Sequence, residues 1–270
     1  VVVAGIEAFK SINPDVIIAL GGGSAIDAAK SIMDFSKKIL KINEVEFIAI
    51  PTTSGTGSEV TSFAVITDSQ KKCKYPLVSD DLLPDMAILD PELVKTVPNF
   101  ITADTGMDVL THAIEAYVST NSNDFSDALA EKAIKLVFKY LIKAYKDGND
   151  IEAREQMCYA CFLNGIAFSN AGLGNVHAMA HQLGGLYDLP HGVCNAMLLP
   201  IVEEENAKSA PAKFRPIAEV IGMDVNNKSD KECVDFVIDK IKALSEEVGI
   251  PKSLKDVGVR SEEHTSELQS

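Results

Sequence analysis

The hydrophobic pattern changes near residue 98, and this change constrains the fold more than any other feature of the chain. Before it, short apolar runs bounded by turn residues predict β-strands at 16–20, 45–50, 63–67, 75–78 and 86–89. After it, apolar residues with helical spacing predict α-helices at 102–119, 124–146, 151–168, 175–186, 195–207, 211–221 and 231–248. Strands followed by helices predict two domains, an α/β domain over 1–97 and an all-helical domain over 98–259.

The segment PDVIIALGGGSAIDAAK, at 14–30, has the order strand, glycine turn, helix. Val16 to Leu20 form a continuous apolar run, as in a buried parallel strand, and Ser24 can cap the helix that follows over 24–35. Three glycines let the backbone approach a ligand closely, and free N–H groups at a helix start attract phosphate. The segment lacks the G-x-G-x-x-G fingerprint, so a tight structural turn is the alternative interpretation.

A second polar loop, PTTSGTGSEVTSFAVITD at 51–68, also follows a buried strand. Its first nine residues include two glycines and five hydroxyl side chains, which satisfy phosphate and ribose oxygens without adding charge. Open α/β sheets bind ligands at the carboxyl ends of their strands, where both loops would lie. The two loops together predict a nucleotide site, and a polar surface loop is the alternative. Lys74 could add positive charge to that site or simply be solvated.

Four of the five histidines lie between positions 112 and 191, in two short segments. Asp108 and His112 are four residues apart and so share one face of a helix; His177 and His181 repeat this spacing, and His191 follows a loop. Imidazoles combined with a carboxylate suit Zn(II) or Fe(II). A catalytic metal needs an open coordination position, so one of the histidines could instead relay protons or support a ligand. A lone histidine is usually structural, but this cluster predicts a metal site.

The chain is acidic, with a formal net charge of -14 over 270 residues. This charge repels phosphate backbones and anionic lipid, so we expect neither nucleic acid nor a membrane as a partner. Apolar runs such as 16–20 are too short to cross a bilayer, and we expect no signal peptide. Five scattered cysteines predict no disulfide framework and favour the cytoplasm. The C-x-x-C of Cys158 and Cys161 is interpreted as two core residues, with redox or metal chemistry as the alternative.

At this point the motifs resemble those of the iron-containing (group III) alcohol dehydrogenases. The matching segments are GGGSAIDAAK, PTTSGTGSEVT, TGMDVLTHAIEAY and GLGNVHAMAHQLGGLYDLPHGVCNAMLLP, in the family's order over most of 14–200. The resemblance implies a dehydroquinate synthase-like architecture, in which an incomplete α/β Rossmann-like nucleotide-binding domain precedes an all-α metal-binding domain. It also implies a metal-dependent oxidoreductase that interconverts a primary alcohol and its aldehyde, with NAD or NADP as the hydride carrier.

The resemblance assigns roles to individual residues. The metal ligands would be Asp108, His112, His177 and His191, with Fe(II) as the metal and Zn(II) as the alternative. His181 would lie beside the nicotinamide and the substrate as a catalytic group that does not bind the metal. The cofactor cleft would be lined by Gly22, Gly23, Ser24, Thr52, Thr53, Thr56, Thr61 and Lys74. The substrate pocket would be bordered by Phe63, Val65 and Phe168.

Both ends of the chain depart from the family's pattern. The chain opens at VVVAGIEAFKSI without Met and lacks the family's first strands, whose acidic residue helps to select NAD over NADP. Its last eleven residues, RSEEHTSELQS at 260–270, resemble a translated sequencing adapter, so we expect a non-native tail there. We therefore expect a fragment, truncated at both ends, of a cytoplasmic enzyme that forms a homodimer at full length.

Three other functions fit parts of the sequence. A lyase similar to dehydroquinate synthase would need a basic pocket for a phosphorylated substrate, yet no Lys or Arg lies between Gln156 and Asn206. A Zn-dependent polyol dehydrogenase of the glycerol type would use one Asp and two His, fewer candidates than this chain offers. The non-enzymatic alternative is an inactive, truncated fragment that binds metal without nucleotide.

Overall fold

The computed structural model describes residues 1–41, 44–68 and 73–259, and within these ranges the chain has the predicted order of elements. Helices and strands are mixed up to Val94, and the first helix of the second part begins at Asn99. The predicted fold class, an α/β part followed by a helical part, is confirmed. The predicted tail at 260–270 lies outside the described residues and stays a prediction.

The first part contains α1 (Val2–Ile12), β1 (Val16–Gly21), α2 (Gly23–Leu40), β2 (Glu46–Pro51), β3 (Phe63–Asp68), β4 (Cys73–Val78) and β5 (Met86–Ala87). β1, β2 and β5 form a parallel sheet in the order β1-β2-β5, in which Ile48 lies between Ile18 and Met86. β3 and β4 pair separately as an antiparallel hairpin, with Val65 opposite Pro76. The carboxyl ends of β1 and β2 thus lie side by side, and each leads into one of the two polar loops.

β1 is buried on one face only, which corrects the prediction of a strand buried on both faces. Ala19 packs in a small core with Ile26 and Phe47, and Ile17 lies against that core. Ile18, by contrast, is 62% exposed and Leu20 58% exposed. Side chains alternate between the faces of a strand, and α2 packs on the face that carries Ala19. The continuous apolar run of β1 therefore did not show whether one face or both faces of the strand are covered by other elements.

The second part contains α3 (Asn99–Val118), α4 (Asp124–Lys146), α5 (Ile151–Ala171), α6 (Asn175–Tyr187), α7 (His191–Ser209), α8 (Phe214–Val220) and α9 (Asp230–Glu247). Capping boxes begin two of these helices, with Asn123 and Ser126 at α4 and Ser229 and Glu232 at α9. Within the described residues, no helix is long and apolar enough to cross a membrane.

α3 is the central helix of this part and packs against α4, α5 and α7. Its residues are buried without interruption from Gly106 to Tyr117, so all sides of this stretch of the helix are covered. A helix that is apolar all round is an interior helix. Any polar side chain on α3 is therefore held inside the protein and needs a partner there.

The loop after β2 touches the helical part through two glycines. Gly57 has a φ of 64°, in the left-handed region, and a Cβ on it would lie 2.9 Å from Gly165 Cα on α5. A Cβ on Gly165 would lie 3.3 Å from Gly57 Cα. The absence of side chains at both positions brings the polar loop directly onto the helix that borders the histidine cluster.

Candidate active site

Three side chains from three helices bring their ligand atoms together in the helical part. Asp108 lies on α3, His177 on α6 and His191 at the first residue of α7. Asp108 Oδ1 is 3.6 Å from His177 Nε2 and 3.7 Å from His191 Nε2, and the three ligand atoms all lie within 4.8 Å of one another. Ligands held about 2.1 Å from a tetrahedral ion would lie roughly 3.4 Å apart, so this spacing fits one cation. Three of the four predicted ligands therefore meet at one point.

The fourth predicted ligand, His112, lies directly against this group. Its ring stacks on His177 at a centroid distance of 4.3 Å and on Phe168 at 4.5 Å. Its Nδ1 is buried, lies 4.0 Å from Asp108 Oδ1 and has no hydrogen-bond partner. An unpaired buried nitrogen costs on the order of 1–3 kcal/mol, and a cation beside Asp108 would relieve that cost. The residues present therefore fit a metal ion.

Glu115 supports His177 from the central helix, and the sequence analysis did not single it out. Its buried carboxylate accepts one hydrogen bond from Val176 N at 2.7 Å and one from His177 Nδ1 at 2.5 Å. When the ring is neutral and its proton is held on Nδ1, Nε2 can present its lone pair to a metal ion. A carboxylate behind a ligating imidazole is the usual support of a metal-binding histidine. The available signal was the spacing, because Glu115 continues the helical face of Asp108.

Asn195 lies among the ligand atoms and was also missed. Its amide Nδ2 donates to Asp108 Oδ1 at 2.6 Å, and it is 3.0 Å from His177 Nε2 and 3.1 Å from His191 Nε2. Its Oδ1 is buried without a partner. A single amide group thus faces all three atoms of the candidate metal site.

The start of α7 explains both the position of Asn195 and why it was missed. The predicted helix over 195–207 is too short, since α7 begins at His191 and places Asn195 one turn further along the same helix. Gly192 lies against the carbonyl oxygen of Asp104 on α3, and a Cβ at Gly192 would collide with that oxygen. Pro190, at the N-cap, sets the start of the helix with a restricted φ. The close approach fixes the first turn of α7 beside α3.

His181 lies beside the three ligand atoms rather than among them. It is one turn after His177 on α6, and the two rings meet edge-on at a centroid distance of 6.3 Å. Its ring stacks on that of His191 at 5.1 Å. The position is compatible with the predicted non-ligand role, which stays a prediction.

The electrostatic environment favours an ionised Asp108 and a neutral His112. Burial opposes the charge of Asp108, but the imidazoles of His112, His191 and His177 outweigh it and hold the pKa of this carboxyl well below its usual range. Burial lowers the pKa of His112 to about 3, although Asp108 opposes the shift. Burial, and then the charge of Asp108, raise the pKa of Asp104 to about 6. A carboxylate and a neutral imidazole are the protonation states that bind metal.

His177 and Glu203 have shifted pKa values in the same buried region. Burial opposes charge on His177, but Asp108 and Glu115 outweigh it and raise the pKa of the ring to about 9. Burial, reinforced by the charge of Glu115, raises the pKa of Glu203 to about 8, while a hydrogen bond from Asn206 opposes the shift. Glu203 is thus protonated at neutral pH, which limits the negative charge buried beside Glu115.

The two polar loops of the α/β part face each other. A Cβ on Gly22 would lie 3.3 Å from Thr53 Oγ1, and one on Gly23 would lie 2.5 Å from Thr56 Cγ2. Thr52 N donates to Gly21 O at 3.0 Å, which joins the ends of β1 and β2. The structure therefore brings together four of the residues predicted to line the cofactor cleft, because the missing side chains of the two glycines let the loops pack directly against each other.

The other residues predicted to line the cofactor cleft do not all lie where the prediction requires. Ser24 does not cap α2, because the helix begins one residue earlier, at Gly23, with Gly22 as the N-cap. Thr61 is buried, with 2% of its surface exposed, so it lies behind the loop surface. Lys74 lies on β4 opposite Thr67, and its side chain is outside the described part of the structure.

A buried lysine that was not predicted from the sequence joins the two loops. Lys30 on α2 is fully buried and donates to Thr61 O at 2.6 Å and Phe63 O at 2.8 Å. Asp27, one turn before it, accepts a hydrogen bond from Ser58 Oγ at 2.6 Å. Burial lowers the pKa of Lys30 to about 8, although nearby carboxylates oppose the shift. The spacing between the two loops is therefore set by buried polar contacts.

An aromatic wall connects the α/β part to the histidine cluster. The Phe168 ring is 6.3 Å from Phe63 and 4.5 Å from His112, measured between centroids. Val65, the third residue predicted to border the substrate, is 38% exposed on β3. Phe168 therefore lies against the candidate metal site, Phe63 lies next to Phe168, and Val65 lies further along the hairpin.

The C-x-x-C pair behaves as the core interpretation predicted. Cys158 and Cys161 are buried free thiols on α5. Cys158 Sγ lies 3.2 Å from Ser54 Oγ, and Cys161 Sγ donates to Glu59 Oε1 at 3.6 Å. Burial raises the pKa of both thiols, which keeps them protonated and unreactive.

Two family models match this chain and cover most of its length. The model for iron-containing alcohol dehydrogenase matches residues 1–91, and that for the C-terminal part of the Fe-containing alcohol dehydrogenase family matches 102–269. The chain belongs to the iron-containing alcohol dehydrogenase family. The family resemblance and the enzyme class predicted from the sequence are therefore confirmed, and nothing in these matches supports the Zn-dependent polyol alternative.

Individual relatives agree with this assignment. The chain is 51% identical to a 1-propanol dehydrogenase of Citrobacter freundii over 260 residues, which cover 94% of this chain and 70% of the relative. It is 44% identical to an NADPH-dependent butanol dehydrogenase of Clostridium saccharobutylicum, with 98% of this chain and 71% of the relative covered. The crystal structure of a 1,3-propanediol oxidoreductase superimposes with a TM-score of 0.90 at 42% identity, covering 96% of this chain and 71% of that one.

Proposed function

We propose that this chain holds one divalent metal ion, iron in preference to zinc, through Asp108, His112, His177 and His191. The observation that carries the proposal is the convergence of Asp108 Oδ1, His177 Nε2 and His191 Nε2, with all three atoms within 4.8 Å of one another. The buried, unpaired Nδ1 of His112 beside Asp108 supports its inclusion as the fourth ligand. Ligand chemistry alone suits both metals, and the family relationship favours iron.

The reaction we propose is the interconversion of a small primary alcohol and its aldehyde. When bound, the metal ion polarises the substrate oxygen, and NAD or NADP carries the hydride. The protein orients the ligands before the substrate arrives: Glu115 fixes the proton of His177 on Nδ1, and Asp108 is held ionised among the imidazoles. These contacts need no rearrangement during the reaction, which is how a preorganised site lowers a barrier.

His181 is our candidate for moving the proton between substrate and solvent. It lies one turn from His177, stacks on His191 at 5.1 Å and is only partly buried. A partly exposed histidine beside the ligands is placed to pass a proton between the substrate and the solvent. The role needs a ring that does not bind the metal.

The cofactor is proposed to lie between the two polar loops. Gly22 and Gly23 pack against Thr53 and Thr56 and bring the two loops together, and the helix that begins at Gly23 presents free N–H groups to phosphate. Of the relatives, the butanol dehydrogenase is described as NADPH-dependent and the methanol dehydrogenase of Bacillus methanolicus as NAD-dependent. Both nucleotides are therefore candidates for this chain.

A short, apolar substrate chain suits the wall beside the metal site. Phe168 contacts His112, and Phe63 lies 6.3 Å from Phe168, so the space next to the ligands is lined by aromatic carbon. The relatives named 1-propanol dehydrogenase and butanol dehydrogenase are named for short, apolar alcohols of this kind. We propose primary alcohols of a few carbons as substrates.

We propose that the enzyme works as a homodimer in the cytoplasm. The buried thiols of Cys158, Cys161 and Cys194 suit a reducing compartment. The exposed Ile18 and Leu20 form part of an apolar surface on the sheet, which supports association with a further element or subunit.

The test is an anaerobic assay of the chain reconstituted with Fe(II) and, separately, with Zn(II). A panel of primary alcohols is offered with NAD and NADP, and reduction of the cofactor is followed by its absorbance. We expect turnover with iron and short alcohols. Bound metal and bound cofactor without turnover on any alcohol would reject the proposed reaction, and the absence of metal binding would reject the ligand set.

A further inference from the structure

We propose that Asn195 is a positioning residue of the metal centre, which holds the carboxylate of Asp108 in its ligating orientation. The inference rests on the ligand set proposed above and adds a residue to its support. Asn195 Nδ2 donates to Asp108 Oδ1 at 2.6 Å, the shortest of its three contacts in this site. A hydrogen bond to an ionised acceptor is about twice as strong as one between neutral groups.

The orientation of the amide is set by the groups around Nδ2. The amide oxygen of Asn195 is buried and has no partner, so nothing on that side selects an orientation. On the other side, Asp108 Oδ1 is an acceptor, and the Nε2 atoms of His177 and His191 are acceptors in the neutral rings that bind metal, with the His177 proton on Nδ1 towards Glu115. Rotating the amide by half a turn would place its oxygen against a carboxylate. The donor side therefore faces the ligands.

Metal binding leaves Asp108 as the remaining acceptor of this amide. The NH2 group has two hydrogens, whereas three acceptor atoms lie within 3.1 Å. The lone pairs of His177 and His191 are directed at a bound cation, but a carboxylate oxygen has lone pairs for both a cation and a hydrogen bond. Because Nδ2 lies within 3.1 Å of all three ligand atoms, a cation bound to them would displace it from the two imidazoles, and the amide would keep only its hydrogen bond to Asp108.

The helices hold Asn195 firmly enough for this role. Asn195 is fully buried. The first turn of α7 packs closely against α3, where Gly192 contacts the carbonyl oxygen of Asp104. Asp108 is one turn further along α3. The hydrogen bond thus connects two helices that are already fixed relative to each other, which is the arrangement in which a supporting contact orients a ligand most effectively.

The experiment measures Co(II) binding to the whole chain without cofactor or substrate. Co(II) affinity is obtained by competition with a chelator, and the visible absorption of saturated protein reports the coordination number, since band intensity rises as that number falls. The variants are Asn195→Leu, which keeps the branched shape of the side chain, and Asn195→Ala, which avoids crowding; thermal unfolding identifies those that fold. Asn170→Ala is the control, because Asn170 donates only within its own helix, to Ile166 O at 2.8 Å.

We expect both Asn195 variants to bind Co(II) about 10- to 100-fold more weakly, with unchanged band intensity at saturation, and the control to match the unsubstituted chain. Unchanged affinity in a folded Asn195 variant would overturn the inference. Stronger bands at saturation would also overturn it, because they would mean that a ligand, not a positioning residue, had been lost. Failure of the unsubstituted chain to bind Co(II) would instead reject the proposed ligand set on which the inference depends.

Discussion

Glu115 accepts a hydrogen bond from His177 Nδ1 at 2.5 Å and thereby connects the central helix α3 to α6 at the candidate metal site. The carboxylate is fully buried and also accepts from Val176 N at 2.7 Å, so both of its oxygens are used. This pair determines which nitrogen of His177 faces Asp108 and His191. The arrangement of the site is thus set by a contact between residues 62 positions apart in the chain.

Replacing this carboxylate should weaken metal binding. Glu115→Gln removes the charge that holds the His177 proton on Nδ1, and we expect Co(II) or Zn(II) affinity to fall by about 10- to 100-fold. Glu131→Gln is the control, because Glu131 accepts from Tyr117 Oη at 2.9 Å, away from the cluster. Titration of both variants with the metal tests the prediction. Equal affinities would show that Glu115 has no supporting role.

Glu203 should make the protein less stable as pH rises. Its pKa is raised to about 8 in the folded protein, chiefly by burial, so the unfolded chain loses this proton first. The stability contribution is present below the ordinary pKa of glutamate and is lost between that value and about pH 8. Glu203→Gln should remove this part of the pH dependence, which amounts to on the order of 2–4 kcal/mol.

Urea unfolding at pH 5 and pH 8 measures the effect of Glu203. Glu204→Gln is the matched control, because Glu204 is the adjacent residue on α7 and its side chain is exposed. The fall in unfolding free energy between the two pH values should be smaller for Glu203→Gln than for the control. A fall of the same size in both variants would mean that Glu203 does not titrate as proposed.

Lys30 should matter for stability and for the cofactor, but not for the metal. Lys30→Met leaves the carbonyls of Thr61 and Phe63 without a donor in a buried site, so we expect a loss of about 3–5 kcal/mol in the free energy of unfolding. Because these contacts set the spacing of the two polar loops, NAD(P) affinity should fall as well. Lys37→Met, which replaces a partly exposed lysine of the same helix, should change little.

The measurements for Lys30 are urea unfolding, calorimetric titration with NAD(P) and Co(II) titration of the same preparations. We expect Co(II) affinity to be unchanged in the folded Lys30→Met protein, since the lysine lies in the α/β part. A joint loss of metal and cofactor binding would point to a general folding defect and would contradict the specific role in the loops.

His181 and His177 should differ in what their loss removes. His181→Ala is expected to retain metal and lose most turnover, because the ring stacks beside His191 and is not among the converging ligand atoms. His177→Ala should lose both. Metal content and turnover of each variant, measured after the same reconstitution, check the difference. Metal loss in His181→Ala would make His181 a ligand instead.

Local patterns predicted much of this structure. The strands β1 and β2 and the long helices begin and end within a few residues of their predicted positions, because periodicity and turn residues are local signals. The clustered histidines predicted a metal site, whereas the grouping of Asp108, His177 and His191 as ligands was implied by the family resemblance. The exposure of Ile18 was not predicted, because the apolar pattern does not reveal which faces are covered.

The supporting residues could not be found from local patterns. Asn195 was not predicted because the predicted start of α7 was four residues late. That prediction left His191 outside the helix, so the two residues were not expected on the same helix. Glu115 looked like one more polar residue of an amphipathic helix until α3 proved to be buried on all sides. Lys30 contacts backbone carbonyls more than thirty residues away. Each of these roles depends on how distant elements pack.

The central claim is that Asp108, His112, His177 and His191 hold one metal ion. It is tested most directly by a crystal structure of the protein loaded anaerobically with Fe(II), with anomalous scattering measured on both sides of the iron absorption edge. We predict one edge-dependent peak, at bonding distance from all four side chains. A peak elsewhere in the chain, or one that lacks contact with these residues, would contradict the account.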